Sequence, residues 1–176
     1  MARQITYGTI ATDASIVTLP MAKANSRIDF DEENDLLQLF VDAANAEIEN
    51  YIGAPVLQRD AVKISWDHWR LCHDLPFEIR ELVSVEWFPY NGTGTALEDG
   101  TDFELFGEEL NILMAKPEDF HRLVVTCKAG YLTAEIPKDI KRAALLIFSH
   151  ADTYRENMPL KLNTSAQALL RPYRRY

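Results

Sequence analysis

The sequence predicts an α+β fold: two long packed helices plus short helices, with an antiparallel β meander inserted between the long helices. Three observations carry that prediction. Apolar residues recur at helical spacing from Asp31 to Ile52 and again from Pro137 to Asn157, while the residues between them alternate with a period of two. The stretch Pro137 to Asn157 has the plainest boundaries, with proline suited to a first helical position, Asp139 in the first turn and Pro159 as a stop. Ile140, Ala144, Ile147, Ala151 and Tyr154 make its stripe, and Leu145, Leu146 and Phe148 widen it until mid-helix is apolar nearly all round. Such a helix is buried on more than one side. It is roughly 30 Å long at 1.5 Å per residue, so the rest of the chain must cover it.

Before the first long helix, residues 1–17 are rich in Thr, Ile and Val with little helical period and read as an extended arm or edge strand. Thr18-Leu19-Pro20 reads as an N-cap with proline in the first turn, opening two short turns from Met21 to Arg27. Asp29 or Asp31 can cap the next helix, whose first turn then holds Asp31, Glu32 and Glu33. Leu36, Leu37, Phe40, Val41, Ala44, Ile48 and Tyr51 form its apolar stripe, Gly53 its C-terminal cap, and Pro55 blocks continuation. Its polar face, Asp42, Asn45 and Glu49, is expected to be free to meet water or a neighbour.

After Pro55, Val56 to Trp69 alternates, with Val62, Ile64 and Trp66 on one face and Lys63, Ser65 and Asp67 on the other. Further strands are predicted at Val83 to Tyr90, Phe103 to Phe106, Asn111 to Met114 and Arg122 to Lys128. Turns at Asn91-Gly92-Thr93-Gly94, Asp99-Gly100 and Phe106-Gly107 separate them, giving about five or six short strands. Asn163 or Ser165 can cap a last short helix through Leu170, followed by the tail Arg171-Pro172-Tyr173-Arg174-Arg175-Tyr176.

With 176 residues, 47% hydrophobic and 26% charged, the chain has the balance of one soluble globular domain spanning 1–176. A formal charge of −9 argues against a general grip on nucleic acid, which comes from Lys and Arg displacing counterions. No signal-type segment or run long enough to span a membrane is visible, and a cytoplasmic origin is expected. Cys72 and Cys127 read as buried free thiols.

No catalytic constellation emerges. His68, Cys72 and His73, beside Asp67 and Asp74, make the most metal-like cluster, yet their spacing fits no zinc template and Trp66 and Trp69 suggest ordinary packing. His121 and His150 are single, and His150 reads as a hydrogen-bonded core histidine on the buried helix. Neither a phosphate loop, a G-x-S-x-G elbow nor H-E-x-x-H is present. Neither metal nor cofactor is expected. The tail stands out instead, because three Arg and two Tyr in six residues of an acidic chain are the residue types favoured as interface anchors.

The order of these parts resembles the head-to-tail connector (head-completion, or adaptor) family of long-tailed double-stranded DNA bacteriophages. Thr18-Leu19-Pro20-Met21-Ala22-Lys23 with Arg27-Ile28-Asp29 is similar to that family's opening turn. Asp35-Leu36-Leu37 through Ala43-Ala44 to Glu49-Asn50-Tyr51-Ile52-Gly53 is similar to its first long helix. Ala129-Gly130-Tyr131 followed by Ile136 to Ala143 is similar to its strand exit and second helix, and Leu169-Leu170-Arg171-Pro172-Tyr173-Arg174 to its ending. The resemblance implies a non-enzymatic virion protein forming a ring, usually of twelve subunits, beneath the portal. That ring would extend the DNA channel without binding DNA specifically and would meet a tail or stopper protein; no membrane is involved. Assembly would take place in the host cytoplasm. Arg171, Pro172, Tyr173, Arg174, Arg175 and Tyr176 become candidates for docking the portal or another partner, and Asp42, Asn45 and Glu49 for the ring interface. Competing readings are another neck or tail-completion component, or a small metal-dependent enzyme using His68, Cys72 and His73.

Overall fold

A computed structural model describes residues 3–10, 14–155 and 163–175, and these form an α+β fold with four α-helices and antiparallel sheets. They divide into two compact units. One contains 3–10 and 58–130; the other contains 14–57, 131–155 and 163–175.

The second unit is helical. Helix α1 (Leu19–Ser26) is capped as expected by Thr18, whose Oγ1 accepts the Met21 N–H at 3.4 Å, and it ends at Arg27 in the left-handed region, φ 56°. Helix α2 (Asn34–Ile52) starts later than the carboxylate cluster implied. Asp31 does not cap it but receives Lys23 Nζ at 2.6 Å, and Glu33 pairs with Arg155 at 2.7 Å. Asp35 is the carboxylate left in the first turn. Asp31 and Glu33 thus stand at the entrance to α2, each in an exposed ion pair, and Glu33 is its N-cap residue. Lys23 also donates to the Phe30 carbonyl oxygen and to Asn34 Oδ1, so one ammonium organises the α1–α2 elbow.

Helix α3 (Lys138–Thr153) begins one residue after Pro137, and the expected end at Asn157 with the Pro159 stop lies outside the described residues. Helix α4 (Thr164–Leu170) is capped by Asn163, not Ser165: Asn163 Oδ1 accepts the Ser165 N–H at 2.8 Å. Leu37, Val41, Ala44 and Ile48 of α2 share one core with Ile140, Ala144, Ile147 and Phe148 of α3 and Leu170 of α4. Ile16 and Val17, read as part of an extended arm, are buried in this core instead. Several expectations at the edges of the stripes need correction. Leu36 and Tyr154 are exposed, and His150 is a half-buried residue whose ring lies 4.8 Å from Tyr154, whereas Leu145 and Leu146 do widen the stripe, packing partly buried against the core.

The other unit holds the strands β1 (Arg3–Thr6), β2 (Arg59–Trp66), β3 (Cys72–Asp74), β4 (Ile79–Pro89), β5 (Thr95–Ala96), β6 (Phe103–Phe106), β7 (Glu109–Ile112) and β8 (Phe120–Ala129). They are not a simple meander. A five-stranded sheet runs β1-β2-β8-β4-β5 and a three-stranded one β3-β7-β6. β8, last in sequence, sits mid-sheet because Leu123, Val125, Cys127 and Ala129 are fully buried at alternate positions. β1 is an edge strand, as the first residues implied, pairing Ile5 with Ile64. The alternation in β2 holds, with Val62, Ile64 and Trp66 buried. Of the cysteines, Cys127 is a buried free thiol, its pKa pushed up to about 11 by burial, but Cys72 is exposed.

Phe148 is 0% exposed, so Phe148→Ala is expected to lower the unfolding free energy by about 3–5 kcal/mol through a cavity. Urea unfolding followed by circular dichroism checks this.

Candidate functional site

Helix α2 is the first surface the sequence singled out, and its three marked polar residues do different things. Asn45 is not on a free face. Its side chain is buried, its Nδ2 donating to Ser15 Oγ at 2.8 Å and its Oδ1 accepting the Ile16 N–H at 3.3 Å. It thereby satisfies backbone that enters the core with Ile16 and Val17. Glu49 is half-buried, and its Oε1 accepts the N–H groups of Val56 at 2.9 Å and Leu57 at 3.1 Å. Asp42 faces solvent, accepting a hydrogen bond from Gln38 at 2.9 Å. The side of α2 that does face outward carries Leu36, Leu39, Ala43, Ala46 and Asn50. Sequence reasoning missed this stripe because Leu36 was assigned to the core; the signal was a second apolar series at 36, 39, 43 and 46.

The basic tail is the second surface. Residues Arg171–Tyr173 form a 3-10 turn continuing α4, with Arg171, Pro172, Arg174 and Arg175 exposed and Tyr173 half-buried. Burial, helped by the Asp139 carboxylate, pushes the Tyr173 hydroxyl above its ordinary pKa. The tail does not project. The Arg175 N–H donates to the Ile52 carbonyl at 2.8 Å, and the Arg174 guanidinium lies 5.3 Å from the centre of the Tyr51 ring. The last turn of α2 contains no basic residue, and its end leaves unsatisfied carbonyls and a partial negative charge. The tail supplies both a donor and the cations. Tyr176 lies outside the described residues.

His68, Cys72 and His73 do not converge. Cys72 and His73 are neighbours on β3, so their side chains leave opposite faces: Cys72 is exposed and His73 buried. His73 Nε2 accepts the Arg70 N–H at 3.3 Å, its ring 4.8 Å from Trp66 and 5.7 Å from His68, while His68 Nδ1 pairs with Asp67 at 2.9 Å. Burial first, then the charges of His68 and Arg70, lower the pKa of His73 to about 4. Among the described residues no three His, Cys, Asp or Glu side chains are grouped to hold a metal. The His121 ring lies 4.6 Å from that of Tyr90, tilted by 37°.

Residues 16–92, which span α1 to β4, match the family model described as phage gp6-like head-tail connector protein. The resembling stretches near 129–143 and 169–174 lie beyond that match. No curated protein matches the chain. Among solved structures, the chain is similar to one from the neck of an empty GTA particle computed with C6 symmetry: TM-score 0.78, 16% identity, covering 97% of this chain and 95% of that one. A chain in the virion of a native gene transfer agent particle gives 0.78 and 16%, with 97% and 94% covered. One from the neck of a native GTA particle computed with C12 symmetry gives 0.69 and 18%, again with 97% and 94% covered. At these identities the structures establish a shared fold. The resemblance to head-to-tail connectors is borne out by the match over residues 16–92.

Two outcomes follow from the geometry. Asn45→Ala strips two hydrogen bonds from a buried site and should cost about 1–3 kcal/mol, whereas Asp42→Ala should leave the urea midpoint where it is. His73 binds its proton near 6.5 when unfolded and near 4 when folded, so the unfolded state holds more protons between those values. Its contribution to stability is complete above pH 6.5 and lost as pH falls toward 4. His73→Leu should therefore show a flatter decline of unfolding midpoint over that window than the unsubstituted chain.

Proposed function

We propose that this chain, a structural protein similar in sequence to phage gp6-like head-tail connectors, is the connector of a phage-like particle. Copies assemble as a ring, twelve-fold in the virion, attached beneath the portal. The ring extends the DNA channel and presents the docking surface for the tail or a stopper protein, and assembly occurs in the host cytoplasm before the protein is locked into the neck. The carrying observation is the coincidence of two independent likenesses, a connector match over 16–92 and a neck-protein fold over 97% of the chain. The C6 and C12 symmetries of the neck structures support the ring. A formal charge of −9 suits a channel through which phosphates pass without being held.

In this reading the chain acts as one connector domain, with α2 and α3 as its packed frame. Arg171, Pro172, Tyr173, Arg174 and Arg175 form a fixed basic patch that, together with Tyr176, docks the portal. Tethering to Ile52 favours this role, because a pre-ordered patch loses less conformational entropy on binding than a frayed tail. The same parts would serve another neck or tail-completion component, and only the partner distinguishes the two.

Native mass spectrometry of the protein with its cognate portal tests the reading: subunits adding in the portal's symmetry support it, and indifference to the portal overturns it. Arg171→Glu combined with Arg175→Glu should leave the fold intact and weaken attachment to portal-bearing heads by about tenfold or more. Equal attachment would remove the tail from the docking surface.

A further inference from the structure

Helix α2 carries a second apolar series that the core does not use. Leu36 is 39% and Leu39 61% exposed, and Ala43, Ala46 and Asn50 are exposed after them. The spacing, three then four residues, is that of a coiled-coil seam. Leu39 lies two positions from both Leu37 and Val41, or about 200° round the helix, so this seam points away from the core those residues enter. Its flanks are acidic. α2 contains Asp35, Asp42, Glu47 and Glu49 and no Lys or Arg, and Asp35 and Asp42 are exposed.

The same unit carries the complementary surface. At the start of α3, Lys138 and Arg142 are exposed one turn apart, and Lys141 is half-exposed beside them. None of these three cations has an ion-pair partner among the described residues. Asp139, the one carboxylate between them, lies near enough to Tyr173 to help raise its pKa. A chain with an acidic-apolar helix face and a separate unpaired basic face is suited to head-to-tail contact between copies, in which each copy offers one face to each neighbour.

We propose that the Leu36–Leu39–Ala43–Ala46 seam of α2 docks against the Lys138–Lys141–Arg142 surface of α3 in a second copy of this chain. Leu39 is covered in that contact, and Asp35 and Asp42 meet the α3 cations. The inference rests on the ring reading and names the faces that build the ring. It moves the expected interface away from Asn45 and Glu49, which are committed to their own chain's backbone.

The test is crosslinking in assembled particles. A chain with Leu39→Cys and Arg142→Cys, in a Cys72→Ser background, is incorporated into heads and treated with a flexible bis-maleimide. Dimers, trimers and higher multiples of the chain are expected on a denaturing gel, and each single-cysteine variant should stop at the monomer. Monomers alone, from particles that cryo-electron microscopy shows to carry several copies, would overturn these faces and leave the ring intact. Crosslinks to the portal in place of a second copy would overturn them equally. Particles carrying a single copy would remove the ring reading and this inference together. Asp42→Cys with Lys138→Cys repeats the test should the first pair disturb folding.

Discussion

The helical unit depends on how the C-terminal end of α2 is satisfied. A helix ends with carbonyls that have no partner within it, and a buried end must find donors elsewhere. Gly53 turns the chain in the left-handed region, φ 76°, and donates to the Glu49 carbonyl at 2.9 Å. The Glu49 side chain then accepts the N–H groups of Val56 and Leu57. Val56 in turn accepts from the Tyr131 N–H at 2.8 Å, and Ile52 accepts from Arg175 at the same distance. Three segments far apart in sequence, 53–57, 131 and 174–175, are thus tied to one helix terminus. Glycine is required at its centre because a side chain in that conformation is strained.

The elbow between α1 and α2 shows the same economy of polar groups. Lys23, whose side chain is only 13% exposed, satisfies the Phe30 carbonyl, Asp31 and Asn34 together, so a nearly buried ammonium is surrounded by acceptors. Burying a cation is costly unless it is paired and hydrogen-bonded, and here it is both. Asn25 and Ser26 add contacts to Ser149 on α3, at 2.9 and 3.0 Å. The helical unit is therefore held by a core of aliphatic residues and Phe148 and, at its ends, by a few polar side chains with several partners each.

These commitments decide what remains for partners. Asn45 and Glu49 are consumed internally, and the tail is anchored by its main chain, so its arginine side chains form a surface and not a flexible arm. What α2 leaves unspent is an exposed apolar seam between carboxylates, and what α3 leaves unspent is a group of unpaired cations. Burial against a neighbour would stabilise such surfaces, as the proposed assembly requires.

The sequence by itself determined the helices, the identity of most strands, the caps at Thr18 and Gly53 and the likeness to connectors. These are local matters: a repeat of 3.6 or 2, a hydroxyl three residues from an N–H, a glycine where φ is positive. Only the tertiary structure decided the rest. That β8 lies between β2 and β4 follows from its pairing with two strands far away in sequence, and sequence order does not contain it. That Asn45 faces inward follows from Ser15 and Ile16, thirty residues away, needing partners. That Asp31 and Glu33 pair with Lys23 and Arg155 follows from cations brought near by folding. In each case the partner lies outside the local sequence window and exists only once the chain has folded.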